Sequence, residues 1–138
     1  MNAPAPLRAR RWVSEENVLA EMERLSDLSM ATVAEYAVQA KDAAQAEAEY
    51  KRLAAVTKLR AQARTRGEGG RVSAAQAEIE ADADPVVAGA YMDRLCTAAA
   101  ADAAKEALRS IRANQEALRT AAASARDGVN GPGWKGTR

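Results

Sequence analysis

Residues 67–76 read Gly-Glu-Gly-Gly-Arg-Val-Ser-Ala-Ala-Gln, and they separate two long stretches that contain few helix breakers. Clustered glycines are a stop-and-turn signal for a helix, because glycine adopts backbone angles that end a helix without strain. Ser73 and Gln76 have the three-residue spacing of a capping box, which begins a helix. The segment therefore predicts the end of one helix, a turn and the start of another, which together form a helical hairpin.

Working outward from this turn, further signals place the other helix ends. Ser14 is a good N-cap, and Asp27 and Ser29 offer a break and a new cap. Pro85 either kinks a helix or begins a new one capped by the residue before it. A glycine at 128 is expected to stop the last helix. The predicted helices are about 15–26, 30–65, 74–83 and 85–126.

The composition favours long helices over a compact core. Alanine supplies 36 of the 138 residues, and Ala, Glu, Lys, Leu and Arg together exceed half of the chain, which is typical of coiled coils. We therefore predict an all-α fold: a long antiparallel, coiled-coil-like helical hairpin with a short N-terminal helix. Because so thin a structure buries little surface, we also expect self-association into a homo-oligomer. The apolar spacing assigns the hairpin seam to Tyr36, Tyr50, Leu53, Tyr91, Leu95, Leu108, Ile111 and Leu118.

The missing residue types exclude much chemistry. The chain has no histidine and one cysteine, which removes His-dependent triads, His-ligated zinc, disulfide frameworks and four-cysteine metal clusters. No phosphate-binding glycine motif is present, and no acidic residue has another acid three positions away. We expect a non-enzymatic protein without a cofactor or metal. The N-terminus has no apolar segment typical of a secretory signal, so we expect a cytoplasmic location.

Positive charge is concentrated at the two ends and at the central turn. Residues 1–13 form a basic, irregular segment, residues 14–127 form the helical domain, and residues 128–138 form a flexible tail by this interpretation. Both end segments combine basic residues with a tryptophan, the pairing that binds single-stranded nucleic acid through phosphates and base stacking. Solvated tails, or tryptophans that anchor a protein partner, explain the pattern as well. The candidate contact residues are Arg8, Arg10, Arg11, Trp12, Arg64, Arg66, Arg71, Trp134, Lys135 and Arg138.

The first predicted helix is the most acidic part of the chain. It carries five acids against one arginine, Arg24. Such a helix can mimic nucleic acid and face a basic groove on a partner, although a solvated helix face explains the charges equally well. The candidate acidic partner face consists of Glu15, Glu16, Glu21, Glu23 and Asp27.

Two stretches, residues 48–61 and 105–119, resemble small Ala-rich helical-hairpin proteins encoded by actinobacterial phages and prophages. The resemblance covers residues 30–126 and leaves both tryptophan-containing ends outside. It implies an accessory role in phage DNA metabolism, and it supplies no catalytic residues.

Three functional hypotheses follow from these features. The first is a phage-type binding protein that assists DNA recombination or replication through a protein partner or single-stranded DNA. The second is a virion assembly protein, such as a scaffold or head-tail component, because these proteins are also elongated and Ala/Glu-rich. The third is an inhibitor of a host protein that acts through the acidic first helix. No apolar run is long enough to span a membrane, so a membrane partner is not expected.

Overall fold

The computed structural model describes residues 15–67, 69–70 and 73–130, and this part of the chain is all-helical. Three helices pack against each other: α1 spans Glu15–Gly67, α2 spans Ala74–Ala83 and α3 spans Pro85–Asn130. Outside the helices, the described residues are only Gly69, Gly70, Ser73 and Asp84. The predicted all-α class is confirmed. The predicted basic segment at 1–13 lies outside the described residues, and so does the predicted tail at 128–138 apart from residues 128–130, which are helical.

Helix α1 runs without interruption through the break predicted at Asp27–Ser29, so that prediction was wrong. Aspartate and serine are only mildly unfavourable inside a helix, by at most about 0.7 kcal/mol each relative to alanine. Downstream, the buried hydroxyl of Thr32 donates to the carbonyl of Leu28 at 2.7 Å, which satisfies it within the helix. The local capping signals of Asp27 and Ser29 were therefore weaker than the apolar packing of the helical residues before and after them.

The end of α1 is a Schellman motif. The N–H of Gly70 donates to the carbonyl of Thr65 at 2.9 Å, and the N–H of Gly69 donates to that of Arg66 at 3.1 Å. Gly69 has a φ of 81°, the left-handed conformation that glycine adopts without steric penalty. Gly70 is also constrained, because a Cβ there would lie 3.0 Å from Cγ2 of Thr65.

Replacing Gly69 with alanine is expected to lower the free energy of unfolding by about 1 kcal/mol, because a Cβ is disfavoured at positive φ. Gly67→Ala is the matched control. A Cβ there meets nothing within 4 Å and its φ is not left-handed, so this change should be neutral or stabilising. Urea denaturation followed by circular dichroism measures both, and equal effects would contradict the assigned role of Gly69.

Helix α2 begins and ends as the sequence predicted. The hydroxyl of Ser73 accepts the N–H of Gln76 at 3.1 Å, and the helix ends before Asp84, which has extended backbone angles. Asp84 then caps α3, because its Oδ1 accepts the N–H of Val86 at 2.8 Å. Pro85 is the first residue of α3, where its missing N–H is not needed. The two alternatives at Pro85 thus resolve into two helices.

Helix α3 passes the glycine at position 128 and ends at Asn130, two residues beyond the predicted stop. A glycine near a helix end costs only about 1 kcal/mol relative to alanine, which a long helix tolerates.

The described residues belong to two compact units. The first contains residues 15–34 of α1 and 106–130 of α3. Its buried apolar side chains are Val18, Leu25, Leu108 and Ile111. Branched aliphatic side chains therefore supply most of the buried apolar surface of this unit.

The second unit contains residues 35–67 of α1, all of α2 and residues 85–105 of α3. Its buried apolar residues are mostly alanines: Ala61, Ala77, Ala81, Val87 and Ala104. Alanine permits close approach between helices but buries little area per residue. Polar contacts therefore contribute more to specifying how the helices of this unit pair.

Candidate functional site

An aromatic cluster connects α1 and α3 within the second unit. The rings of Tyr50 and Tyr91 meet edge to face with centroids 5.5 Å apart. The guanidinium of Arg94 lies 5.0 Å from the Tyr50 centroid and 5.5 Å from the Tyr91 centroid. Nε of Arg94 also contacts a carboxylate oxygen of Glu47 at 2.7 Å. These directional contacts give a defined register to a seam that alanines alone would leave ambiguous.

The predicted seam residues differ in how deeply their side chains are buried. Leu108 and Ile111 are buried, whereas Tyr36, Tyr50, Leu53 and Leu118 are half-buried. Tyr91 is 42% exposed although its ring meets Tyr50. Leu95 is 43% exposed, and in its neighbourhood Arg94 and Thr97 are less exposed instead. Leu95 follows Tyr91 by one helical turn and lies on nearly the same side of α3, so its assignment to the seam stays a prediction.

The basic residues around the central turn are partly neutralised by α2. Nη2 of Arg64 donates to both carboxylate oxygens of Glu80 at 2.9 Å. Lys58 approaches Glu78 at 3.8 Å. Arg66 is exposed and forms no ion pair with any described residue. The turn therefore presents less free positive charge than its sequence suggested, which weakens it as a phosphate-binding surface.

The remaining candidate nucleic-acid residues lie outside the described part of the chain. They are Arg8, Arg10, Arg11, Trp12, Arg71, Trp134, Lys135 and Arg138. The structure therefore gives no geometry for the proposed basic and aromatic ends.

In the first unit, α1 presents an outward side that combines acidic and apolar residues. Met30 is 71% exposed, and Leu19 and Val33 are exposed as well. Glu23 and Asp27 are exposed between them and form no ion pair with any described residue. We name this surface the acidic–apolar face, defined by Leu19, Glu23, Asp27, Met30 and Val33. Steps of three and four residues place all five on one side of the helix.

The predicted acidic face is divided by the helix geometry. Glu21 is only 18% exposed, and its carboxylate accepts two hydrogen bonds from Arg24, at 2.9 and 2.5 Å. The hydrogen bonds from Arg24 lower the pKa of Glu21. Glu21 is thus paired with Arg24 of the same helix, and it does not lie on the side of α1 that Glu23 and Asp27 share. The side chains of Glu15 and Glu16 lie outside the described part of the structure.

Sequence reasoning did not identify Met30, Leu19 and Val33 as surface residues. The available signal was their spacing relative to Val18, Leu25 and Thr32, which are the buried residues of α1 in this unit. The predicted break at Asp27–Ser29 hid that relation, because it placed residues 19 and 30 on separate helices.

Comparisons with protein-family models, with curated proteins and with solved structures found no match to this chain. Within residues 15–67, 69–70 and 73–130, no set of three or more metal-ligating side chains is arranged to hold a metal ion. None of the three described helices has a segment apolar enough over a sufficient length to cross a bilayer.

Proposed function

We propose that this chain is a non-enzymatic helical binding protein that assists phage DNA recombination or replication, and that its principal contact is with another protein. The observation that carries this proposal is the acidic–apolar face of α1, where Met30 is 71% exposed beside Glu23 and Asp27. Clustered exposed apolar side chains are characteristic of interaction surfaces. The resemblance of residues 30–126 to phage helical-hairpin proteins supports a role in phage DNA metabolism.

The chemistry of this face indicates its partner. A helix that presents apolar residues at steps of three and four fits a hydrophobic groove, and carboxylates at its centre favour basic residues along the rim. We therefore infer a protein with an apolar groove bordered by lysine or arginine. A nucleic acid is a poor occupant because its phosphates would meet Glu23 and Asp27.

We further infer that the second unit is an antiparallel helical hairpin. Its longer-range contacts support this topology: Arg64 pairs with Glu80, Tyr50 meets Tyr91, and Glu47 pairs with Arg94. The residue number on α1 falls while the number on the later helix rises, which is the order that an antiparallel pair produces.

The test uses the full chain with an affinity tag, recovered from lysogenic or infected host cells with and without nuclease. The expected result is a protein partner that survives nuclease. The purified partner is then titrated calorimetrically against wild type and Met30→Glu. The variant should bind at least about tenfold more weakly, because a carboxylate replaces the most exposed apolar anchor. Leu59→Glu, at an exposed leucine in the other unit, is the matched control and should bind as wild type does.

Two results would contradict the proposal. If Met30→Glu and a Glu23→Lys/Asp27→Lys variant both bind normally, the acidic–apolar face is not the binding surface. If only nucleic acid is recovered, and Trp12→Ala/Trp134→Ala abolishes that recovery, single-stranded DNA is the principal ligand.

Inhibition of a host protein is a second candidate function. It is favoured by the same exposed pair, Glu23 and Asp27, which would occupy a basic groove on the target. A recovered partner that is a host nucleic-acid-binding enzyme, inhibited by wild type but not by the Glu23→Lys/Asp27→Lys variant, would establish this role. Virion assembly stays a prediction from the sequence, and the presence of the chain in purified virions or procapsids tests it.

A further inference from the structure

The part of α3 that belongs to the first unit carries a row of arginines. Arg112, Arg119 and Arg126 are exposed and follow one another at intervals of seven residues. Seven residues make nearly two full helical turns, so the three side chains leave the same side of α3 at intervals of about 10.5 Å. We name these three residues the arginine row.

Most of the positive charge of the row is not neutralised by neighbouring acids. Arg112 and Arg126 form no ion pair with any described residue. Glu116 is the one acid within the length of the row, and it approaches Arg119 at 3.6 Å with both side chains well exposed. Asp127 follows Arg126 directly, so it lies on a side of the helix turned by about 100°. Exposed ion pairs on a helix are weak, and a guanidinium has five N–H donors, so Arg119 can donate to a further anion as well.

The acidic helix of the same unit does not pair with the row either. Residues 15–34 of α1 contain five acids and one arginine. Among the described side chains, no ion pair joins these acids to residues 106–127 of α3. The arginines therefore do not hold the two helices together, and their charge is available to a ligand outside the chain.

The surroundings of the row distinguish between kinds of anionic ligand. Among residues 106–127 no large apolar side chain is exposed, whereas α1 of this unit exposes Leu19 and Met30. Protein interfaces depend on large side chains that fill pockets of the partner, and this surface offers none. The same stretch contains no Phe, Tyr or Trp, so it has no ring to stack on the bases of a single strand. A surface of arginines among small and polar residues fits the phosphate backbone of a duplex.

We propose that the arginine row binds the phosphate backbone of duplex DNA without regard to base sequence. The row is about 21 Å long, which corresponds to about six base pairs at a rise of about 3.4 Å. Guanidinium groups suit this contact because they donate two parallel hydrogen bonds to phosphate oxygens. The choice of DNA among polyanionic duplexes rests on the proposed function in DNA metabolism. The first unit then contacts a protein through α1 and DNA through α3.

The test is a titration of a fluorescent DNA duplex with the full chain, followed by anisotropy at several salt concentrations. At low salt, the triple variant Arg112→Gln/Arg119→Gln/Arg126→Gln should raise the dissociation constant at least about tenfold, because three phosphate contacts are lost. The slope of log K against log salt concentration should become shallower by about 2.7, which is about 0.9 for each lost contact. Glutamine is a good helix former, and circular dichroism verifies that the variant stays helical.

The matched control removes the same charge from three exposed arginines of α1, in the variant Arg24→Gln/Arg52→Gln/Arg60→Gln. It should leave both the dissociation constant and the salt slope nearly unchanged, because the position of the arginines and not the net charge determines the contact. Equal losses in the two triple variants would overturn the proposal.

Three further results would also overturn it. They are a wild-type chain that does not bind the duplex at about 100 µM and low salt, a row variant that binds as wild type does, and a single strand of the same length that binds more tightly than the duplex. The titration contains no partner protein and changes no residue of the acidic–apolar face. Its failure therefore leaves the proposed protein contact standing, and failure of the Met30→Glu test leaves the arginine row standing.

Discussion

Leu25→Ala is expected to lower the free energy of unfolding by about 3 kcal/mol, the typical result when a buried leucine is truncated and leaves a cavity. Leu25 is 3% exposed and is the most buried large side chain among the described residues of its unit. Because the described residues of this unit include only four buried apolar side chains, the loss of one removes a large part of their packing. Urea denaturation monitored by circular dichroism measures the change.

Leu28→Ala is the matched control for this prediction. It removes the same atoms from the same helix one turn later, but Leu28 is 41% exposed. Its expected cost is below about 1 kcal/mol, because truncating an exposed side chain leaves no cavity and forfeits less apolar burial. Equal costs for the two variants would mean that α1 packs on a different side in solution.

Ala81→Leu is expected to destabilise the protein by about 2 kcal/mol, because it overfills a packed site, whereas Leu25→Ala leaves a cavity. Ala81 is 1% exposed at the centre of the alanine-rich packing of α2, so three additional carbons must displace neighbouring helices. Ala83→Leu places the same atoms on an exposed position two residues later and should change stability by less than about 0.5 kcal/mol. The same denaturation experiment compares them, and a stabilising Ala81→Leu would show that the second unit has an unfilled cavity.

The local signals in the sequence were accurate wherever a helix end depends on a few neighbouring residues. The Gly-rich segment at 67–70, the cap at Ser73 and the boundary at Pro85 all occur where predicted. Such ends are decided by hydrogen bonds over three to five residues, which short sequence motifs specify. The break predicted at Asp27–Ser29 failed because weak capping residues inside a long helix are overridden by packing.

The candidate surfaces depended on information that the sequence did not contain. Arg64 was a candidate contact residue by charge alone, yet Glu80, sixteen positions later, neutralises it. Leu95 was placed in the seam by its apolarity, yet it is 43% exposed, and its neighbour Arg94 makes the contacts with the tyrosine rings. In an alanine-rich helix, several faces satisfy the same apolar spacing, so only the partner helix decides which face is buried.

The amino-acid sequence by itself determined the helical character of the described residues, where helices α2 and α3 begin, and that the given chain has no histidine and a single cysteine. These properties follow from composition and from contacts between near neighbours. Only the tertiary structure decided which charges are neutralised and which apolar residues remain exposed, including Met30 and Met92. Those outcomes depend on helices that approach from distant parts of the chain, and alanine-rich seams encode such pairings weakly.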